Sequence, residues 1–140
     1  MSSVTLAPDY APSENEEFMN PVMTEYFRQK LLDWKNDILH DSSETLAHLQ
    51  EQELQQPDIT DRATLETDSA LELRTRDRQR KLISKIDSAI RRIEAGEYGY
   101  CEETGEPISI KRLEARPIAT LSLEAQEAHE RHERTHKDED

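Results

Sequence analysis

This 140-residue chain contains few of the residues that form turns or fill large cores. It has only 3 Gly and 6 Pro, which is too few turn-forming residues for a β-sandwich. Its hydrophobic fraction is 34% and its aromatic fraction 5%, whereas a compact globular domain has about 45–50% apolar residues. We therefore expect an extended helical protein, a small core carrying long solvated helices, or partial disorder, rather than one large core.

Several other features are absent. The 18 Lys+Arg are outnumbered by 31 Asp+Glu, for a net charge of −13, which argues against general nucleic-acid binding. A single cysteine cannot form an internal disulfide. No run approaches the roughly 18 apolar residues of a membrane-spanning helix, and no basic region followed by an apolar run marks a secretory signal. We expect a cytoplasmic protein that does not bind membranes.

Two long helices are predicted in the first two thirds of the chain. From 22 to 56, the residues Phe27, Leu31, Trp34 and Ile38 recur at steps of four, three and four, which places them on one helix face. A second helical pattern runs from 61 to 94. Because the link is short, we expect the two helices to fold back as an antiparallel coiled-coil hairpin.

The fold predicted for the whole chain is mainly α. It consists of this long hairpin, a small globular domain built around a degenerate zinc-finger insert, and a C-terminal helix. The predicted boundaries are an N-terminal arm at 1–21 that packs on or near the globular part, the hairpin at 22–95 with an acidic tip near 57–63, the insert at 96–121, and the C-terminal helix with an acidic tail at 122–140.

Charge is unevenly distributed over the end of the first predicted helix, the link and the second helix. Residues 51–72 contain seven acids and one base, and residues 74–92 contain eight bases and two acids. Between Arg74 and Lys81 there is no apolar residue, so we expect this part of the hairpin to be flexible or to need a partner. The charges either solubilise the helix surface or guide the chain into a complementary site.

The insert contains an incomplete metal-binding pattern. Cys101 begins the segment CEETG, at the place where a zinc knuckle would start, but the second position is Thr104 and the later pair is Ser122 and Ala125. Structural zinc requires four Cys or His ligands, so zinc is not expected. An alternative site would combine Cys101 with two of the histidines that share a face of the last helix, His129, His132 and His136.

Three segments carry a resemblance to a known family: PDITDRAT, ELRTRDRQRKLISKI and GYCEETGEPISIKRLEARPIATLS. With these segments the chain resembles the DksA/TraR family of bacterial transcription factors over about residues 16–131. Typical members have zinc cysteines at the positions of Cys101, Thr104, Ser122 and Ala125. The chain is therefore similar to the cysteine-poor, zinc-independent branch.

The resemblance implies binding to RNA polymerase through its secondary channel. Family members destabilise open promoter complexes, notably at ribosomal RNA promoters, and act with the alarmone ppGpp in the stringent response. The family's tip motif DxxDxA falls on Asp58, Asp61 and Ala63. Carboxylates accept hydrogen bonds and pair with cations, which suits a tip that faces the polymerase active site. Asp61 also suits the N-cap of the second helix.

The family's ppGpp contacts correspond to Leu82, Lys85, Arg116 and Gln126, and Gln126 replaces a lysine of the usual pattern. Lys85 and Arg116 suit phosphate oxygens, although Arg116 could instead pair with Glu114. A contact of Arg78 with the channel rim is also implied, with a solvated helix face as the alternative.

The alternative function is that of a Gre-like transcript-cleavage or anti-backtracking factor, whose acidic tip holds a metal ion. No motif of an enzyme with its own active site is found. We therefore expect a monomeric regulator, without catalytic residues and without direct sequence-specific DNA binding.

Overall fold

The fold of the protein was obtained as a computed structural model, which describes residues 4–55 and 59–138. The described part contains four helices and one isolated antiparallel β-bridge between Tyr100 and Pro107, and no β-strand. The predicted mainly α fold is therefore confirmed. The helices are α1 at Pro21–Gln55, α2 at Ile59–Ala95, α3 at Ile110–Ala115 and α4 at Leu123–Asp138.

The start of α1 is determined by Asn20 and Pro21. Asn20 Oδ1 accepts hydrogen bonds from the backbone N–H groups of Val22 and Met23, both at 3.0 Å. These donors have no partner within the helix, so Asn20 acts as its N-cap. Pro21 occupies the first helical position, where its missing N–H costs nothing. The helix therefore begins one residue before the predicted boundary.

The chain divides into two compact units, and the second comprises Leu32–Asp87. In this unit Lys35 Nζ meets Asp87 Oδ1 at 2.7 Å, while Leu39, four residues further along α1, shares a cleft with Ile83, four residues earlier in α2. Contacts that advance along one helix and recede along the other require antiparallel packing. The predicted antiparallel hairpin is confirmed in this unit.

The first unit comprises Met1–Leu31 and Ser88–Asp140 and holds most of the buried apolar side chains. Within it, α1 contributes side chains from successive turns that are fully buried, and the insert contributes side chains from its loops and from α3. The hydrophobic core residues described as buried in this unit are Met23, Phe27, Leu31, Ala89, Tyr98, Cys101, Ile108, Leu113, Ile118, Ala119 and Ala125.

Two large apolar residues in and after the insert do not belong to its core. Tyr100 and Leu123 are 39% and 53% exposed. Ile110 belongs to a β-capable run, yet it is the first residue of α3, because the Ser109 hydroxyl accepts a hydrogen bond from Arg112 N–H and starts a helix.

Residues 4–20 form turns without a regular helix. The Tyr10 ring lies edge-on against Tyr26 with 5.8 Å between centroids, and Phe18 lies edge-on against Tyr100 at 5.3 Å. The N-terminal segment thus contacts both α1 and the insert within the first unit. None of the described helices combines the length and the apolar character that a bilayer crossing requires.

Candidate functional site

The predicted acidic tip lies where α1 ends and α2 begins. Asp58 lies outside the described residues. Asp61 and Ala63 lie in α2, which begins at Ile59, so Asp61 is in the first turn of the helix and is not the residue preceding it. An acidic group in the first turn interacts favourably with the positive end of the helix dipole. The placement of Asp61 is therefore compatible with both a structural and a functional role.

The middle of α2 carries the basic stretch. Arg80 Nη2 pairs with Asp77 Oδ1 at 2.7 Å, and both side chains are well exposed. Arg78 is exposed, and its Nη2 lies 3.5 Å from Thr75 Oγ1, which is a weak contact. Exposed pairs of this kind add little stability, so these guanidinium groups can form ion pairs with another molecule at little cost.

The four residues predicted to contact ppGpp are found in two different units. Leu82 is half-buried and Lys85 exposed, both on α2 in the second unit. Arg116 is exposed directly after α3, and Gln126 is half-buried on α4, both in the first unit. Each unit thus contributes one exposed cation that can bind phosphate oxygens.

The alternative pairing of Arg116 with Glu114 is not formed. Glu114 Oε2 instead contacts Lys30 Nζ at 3.1 Å, which links α3 to α1. The Arg116 N–H bonds to the Arg112 carbonyl at 2.7 Å and ends α3. The backbone of Arg116 is therefore held by a hydrogen bond, while the residue is exposed to solvent. Gln126 Nε2 donates to Glu130 Oε1 at 3.0 Å.

The loop that begins at Cys101 is a closed turn. Cys101 N–H donates to the Glu106 carbonyl at 2.8 Å, and Gly105 N–H donates to the Cys101 carbonyl at 2.9 Å. Thr104 Oγ1 accepts from Glu106 N–H at 3.2 Å. The backbone of the turn is thus held by its own hydrogen bonds. Ala125 of α4 is also buried.

Cys101 is only 2% exposed. Burial opposes ionisation of the thiol, but hydrogen bonds from the Thr104 side chain and from the backbone at Ser122, Thr104 and Glu103 outweigh it and lower the pKa of Cys101 to about 6. A thiol at this position therefore favours its thiolate form at neutral pH.

Among the described side chains, the predicted alternative metal site on the last helix is not assembled, and the side chain of His136 lies outside the described ones. His129 Nε2 lies 3.1 Å from Glu133 Oε1 on the same helix, and its Nδ1 lies 3.9 Å from Glu103 Oε1. Across the part of the chain that the structure describes, no three His, Cys, Asp or Glu side chains are grouped so that they could hold a metal ion.

The sequence predicts that the N-terminal arm packs on or near the globular part, but it does not indicate which residues make the contact. Gly99 has φ +92°, and a Cβ there would lie 3.0 Å from Met19 Cε and 3.1 Å from Phe18 Cζ. The Gly-Tyr-Cys sequence indicates a turn, but its pairing with residues 80 positions earlier follows no local pattern. Tyr98, one residue before, donates its buried hydroxyl to the Pro117 carbonyl at 2.7 Å.

Two family models match this chain. Residues 23–93 match the N-terminal domain of the DnaK suppressor protein DksA. Residues 96–131 match the prokaryotic dksA/traR C4-type zinc finger. The first match covers the two long helices, and the second covers the insert, α3 and the first half of α4.

The expectation that zinc is not a cofactor is contradicted by the second of these matches. The model that matches residues 96–131 is a C4-type zinc finger, which points to zinc binding. The four ligand positions of this chain hold one thiol, two hydroxyls and a methyl group, at Cys101, Thr104, Ser122 and Ala125. These residues do not supply the four thiolates of a four-cysteine site.

Curated relatives and a solved structure complete the comparison. The chain is 67% identical over 130 residues to the RNA polymerase-binding transcription factor DksA of Caulobacter vibrioides, covering 93% of this chain and 92% of the relative. It is 42% identical over 115 residues to the protein of the same name from Escherichia coli, covering 82% and 76%. The structure of transcription factor DksA2 from Pseudomonas aeruginosa matches with a TM-score of 0.78 at 38% identity, covering 84% of this chain and 90% of the other. The chain belongs to the DksA family.

Proposed function

We propose that this protein is a transcription factor that binds RNA polymerase and acts as a monomeric, cytoplasmic regulator rather than as an enzyme. One observation carries the proposal: the chain is 67% identical to an RNA polymerase-binding transcription factor over almost the whole length of both proteins. The net charge of −13 supports a protein partner over direct sequence-specific DNA binding.

The hairpin is the part that enters the polymerase secondary channel under this proposal. Within the second unit, α1 and α2 pack antiparallel. Asp58 lies between the two helices in the sequence, and Asp61 and Ala63 lie near the start of α2. The two carboxylates would reach basic or amide groups near the catalytic centre, and Ala63 would permit close approach. The consequence is destabilisation of open promoter complexes, including those at ribosomal RNA promoters.

The test is Asp61→Asn, measured on purified polymerase. The change removes a charge and keeps the side-chain size, so polymerase affinity should stay within about tenfold of the original. The shortening of open-complex lifetime at a ribosomal RNA promoter should be lost. Asp68→Asn is the matched control, since it is the same change on an exposed residue one heptad further along α2. This control should act like the original protein.

Full inhibition by Asp61→Asn would overturn the role of the tip. If the unmodified protein does not bind polymerase, the proposed function is wrong. An assay of transcript cleavage in backtracked complexes distinguishes the proposed regulator from the Gre-like alternative. A cleavage factor shortens the transcript, whereas the proposed regulator leaves its length unchanged.

The second part of the proposal is that ppGpp binds between this protein and the polymerase. Leu82, Lys85, Arg116 and Gln126 would contribute, with the cations of Lys85 and Arg116 binding phosphate oxygens. Arg78 would contact the channel rim. The exposed side chains of Lys85, Arg116 and Arg78 support these roles.

The double change Lys85→Ala and Arg116→Ala should abolish the additional effect of ppGpp in the same promoter assay. The effect without ppGpp should remain, since the Asp61 tip is untouched. If ppGpp still enhances the action of the double variant, the assignment of these two cations is wrong.

A further inference from the structure

The apolar pattern of α2 stops in the middle of the helix. Ile83, Ile86 and Ile90 recur at steps of three and four and define the face that packs on a neighbouring helix. Continued towards the N-terminus, the same face reaches Gln79, Arg76 and Glu72 in place of aliphatic residues. Along this face, the side chains of α2 thus change from apolar to polar.

Burial follows this change. Ile86 is fully buried and Ile38 of α1 is 6% exposed, both in the second unit. On the same face of α2 towards the N-terminus, Gln79, Arg76 and Glu72 are half-buried. The face of α2 therefore changes from a fully buried aliphatic residue at Ile86 to half-buried polar residues between Gln79 and Glu72.

A cleft lies at this transition. It has a volume of about 520 Å³, which leaves room for several water molecules. We call it the seam cleft, and its lining combines aliphatic side chains from both helices with charged groups of α2. The lining residues are Leu39, Leu73, Arg76, Asp77, Arg80 and Ile83.

Two buried polar atoms accompany the seam cleft. Arg76 Nε and Glu72 Oε2 are buried, and neither has a hydrogen-bond partner among the residues that the structure describes. Buried polar atoms are normally satisfied by protein or by water. Water supplied through the cleft can satisfy them, and it can equally satisfy backbone groups when the helices separate there.

We propose that the seam cleft is a hydrated hinge at which α1 and α2 of the second unit separate locally, without unfolding of the remaining structure. On α2, separation there uncovers Glu72, Arg76 and Gln79 rather than aliphatic side chains, which favours low local stability. At Ile38 and Ile86 the same motion would expose buried apolar side chains, so the helices stay together. This property does not depend on the proposed function.

Hydrogen exchange of the isolated full-length protein, followed by mass spectrometry, tests the hinge. After correction for intrinsic rates, amides of 71–80 should exchange at least about tenfold faster than amides of 84–92. Equal protection of the two segments would overturn the proposal, whatever the protein does with polymerase.

A charge-neutral double variant tests the cause. Glu72→Leu with Arg76→Leu places aliphatic side chains on the seam and should slow exchange of 71–80 by at least about tenfold. Glu66→Leu with Arg74→Leu is the matched control, since both residues are exposed and lie outside the cleft lining. Equal effects of the two double variants would show that helix propensity, not the seam, limits exchange, and would overturn the hinge.

Discussion

Gly99 is the glycine at which an added side chain would meet its neighbours. Its φ of +92° is in the region that L-residues avoid, and the side chains of Met19 and Phe18 cover the place where a Cβ would lie. Gly105 has a similar φ of +74° but open space around it. The two glycines share one backbone requirement and differ in their packing.

Gly99→Ala should therefore destabilise the protein more than Gly105→Ala. Both changes incur the backbone strain of a positive φ, about 1–2 kcal/mol. Gly99→Ala must in addition displace Met19 and Phe18, which adds about 1 kcal/mol. Urea unfolding followed by circular dichroism measures both values. Equal losses would show that the N-terminal segment does not press on Gly99 in solution.

At the scale of elements, the N-terminal segment is held by a carboxylate. Glu16 accepts from the Tyr10 hydroxyl at 2.8 Å and from Ser13 N–H at 2.9 Å, and Tyr10 rests on Tyr26 of α1. The hydrogen bond from Tyr10, followed by the one from the Ser13 backbone, lowers the pKa of Glu16 below its usual 4.5. The ionised carboxylate thus organises a segment that has no helix or strand.

The stability that Glu16 contributes should disappear in acid. Because the folded pKa is lowered, the contribution is complete above pH 4.5 and falls as the pH drops through the folded value. Glu16→Gln should thus reduce stability at pH 7 and have progressively less effect below pH 4.5. The comparison uses urea unfolding of both proteins across pH 3–7. A difference that stays constant over this range would contradict the role of the charge.

The two units differ in how they are stabilised when the whole molecule is considered. The first unit buries eleven of the thirteen apolar residues that are buried in the described part, while Ile38 and Ile86 represent the second unit. Hydrophobic burial is the main favourable term in folding. Among its described side chains, the second unit consequently relies less on apolar burial and more on ion pairs such as that of Lys35 with Asp87.

Thermal unfolding should separate the two units, and the chain has a natural probe for each. Trp34, the only tryptophan, lies in the second unit, whereas Tyr10, Tyr26, Tyr98 and Tyr100, the four tyrosines, lie in the first. The Trp34 fluorescence should change a few degrees before the near-ultraviolet signal of the tyrosines. Coincident transitions would show that the molecule unfolds as one cooperative unit.

The sequence by itself determined the two long helices, their antiparallel packing and the family of the protein, because periodic apolar positions, a short link and motifs such as RLEARP are local properties of the chain. It also indicated the polar middle of α2. Only the tertiary structure decided that Phe18 and Met19 cover Gly99, that Glu114 binds Lys30 and not Arg116, and that Tyr100 is exposed. Contacts between residues some 80 positions apart depend on how helices and loops pack in space, and no local periodicity encodes them.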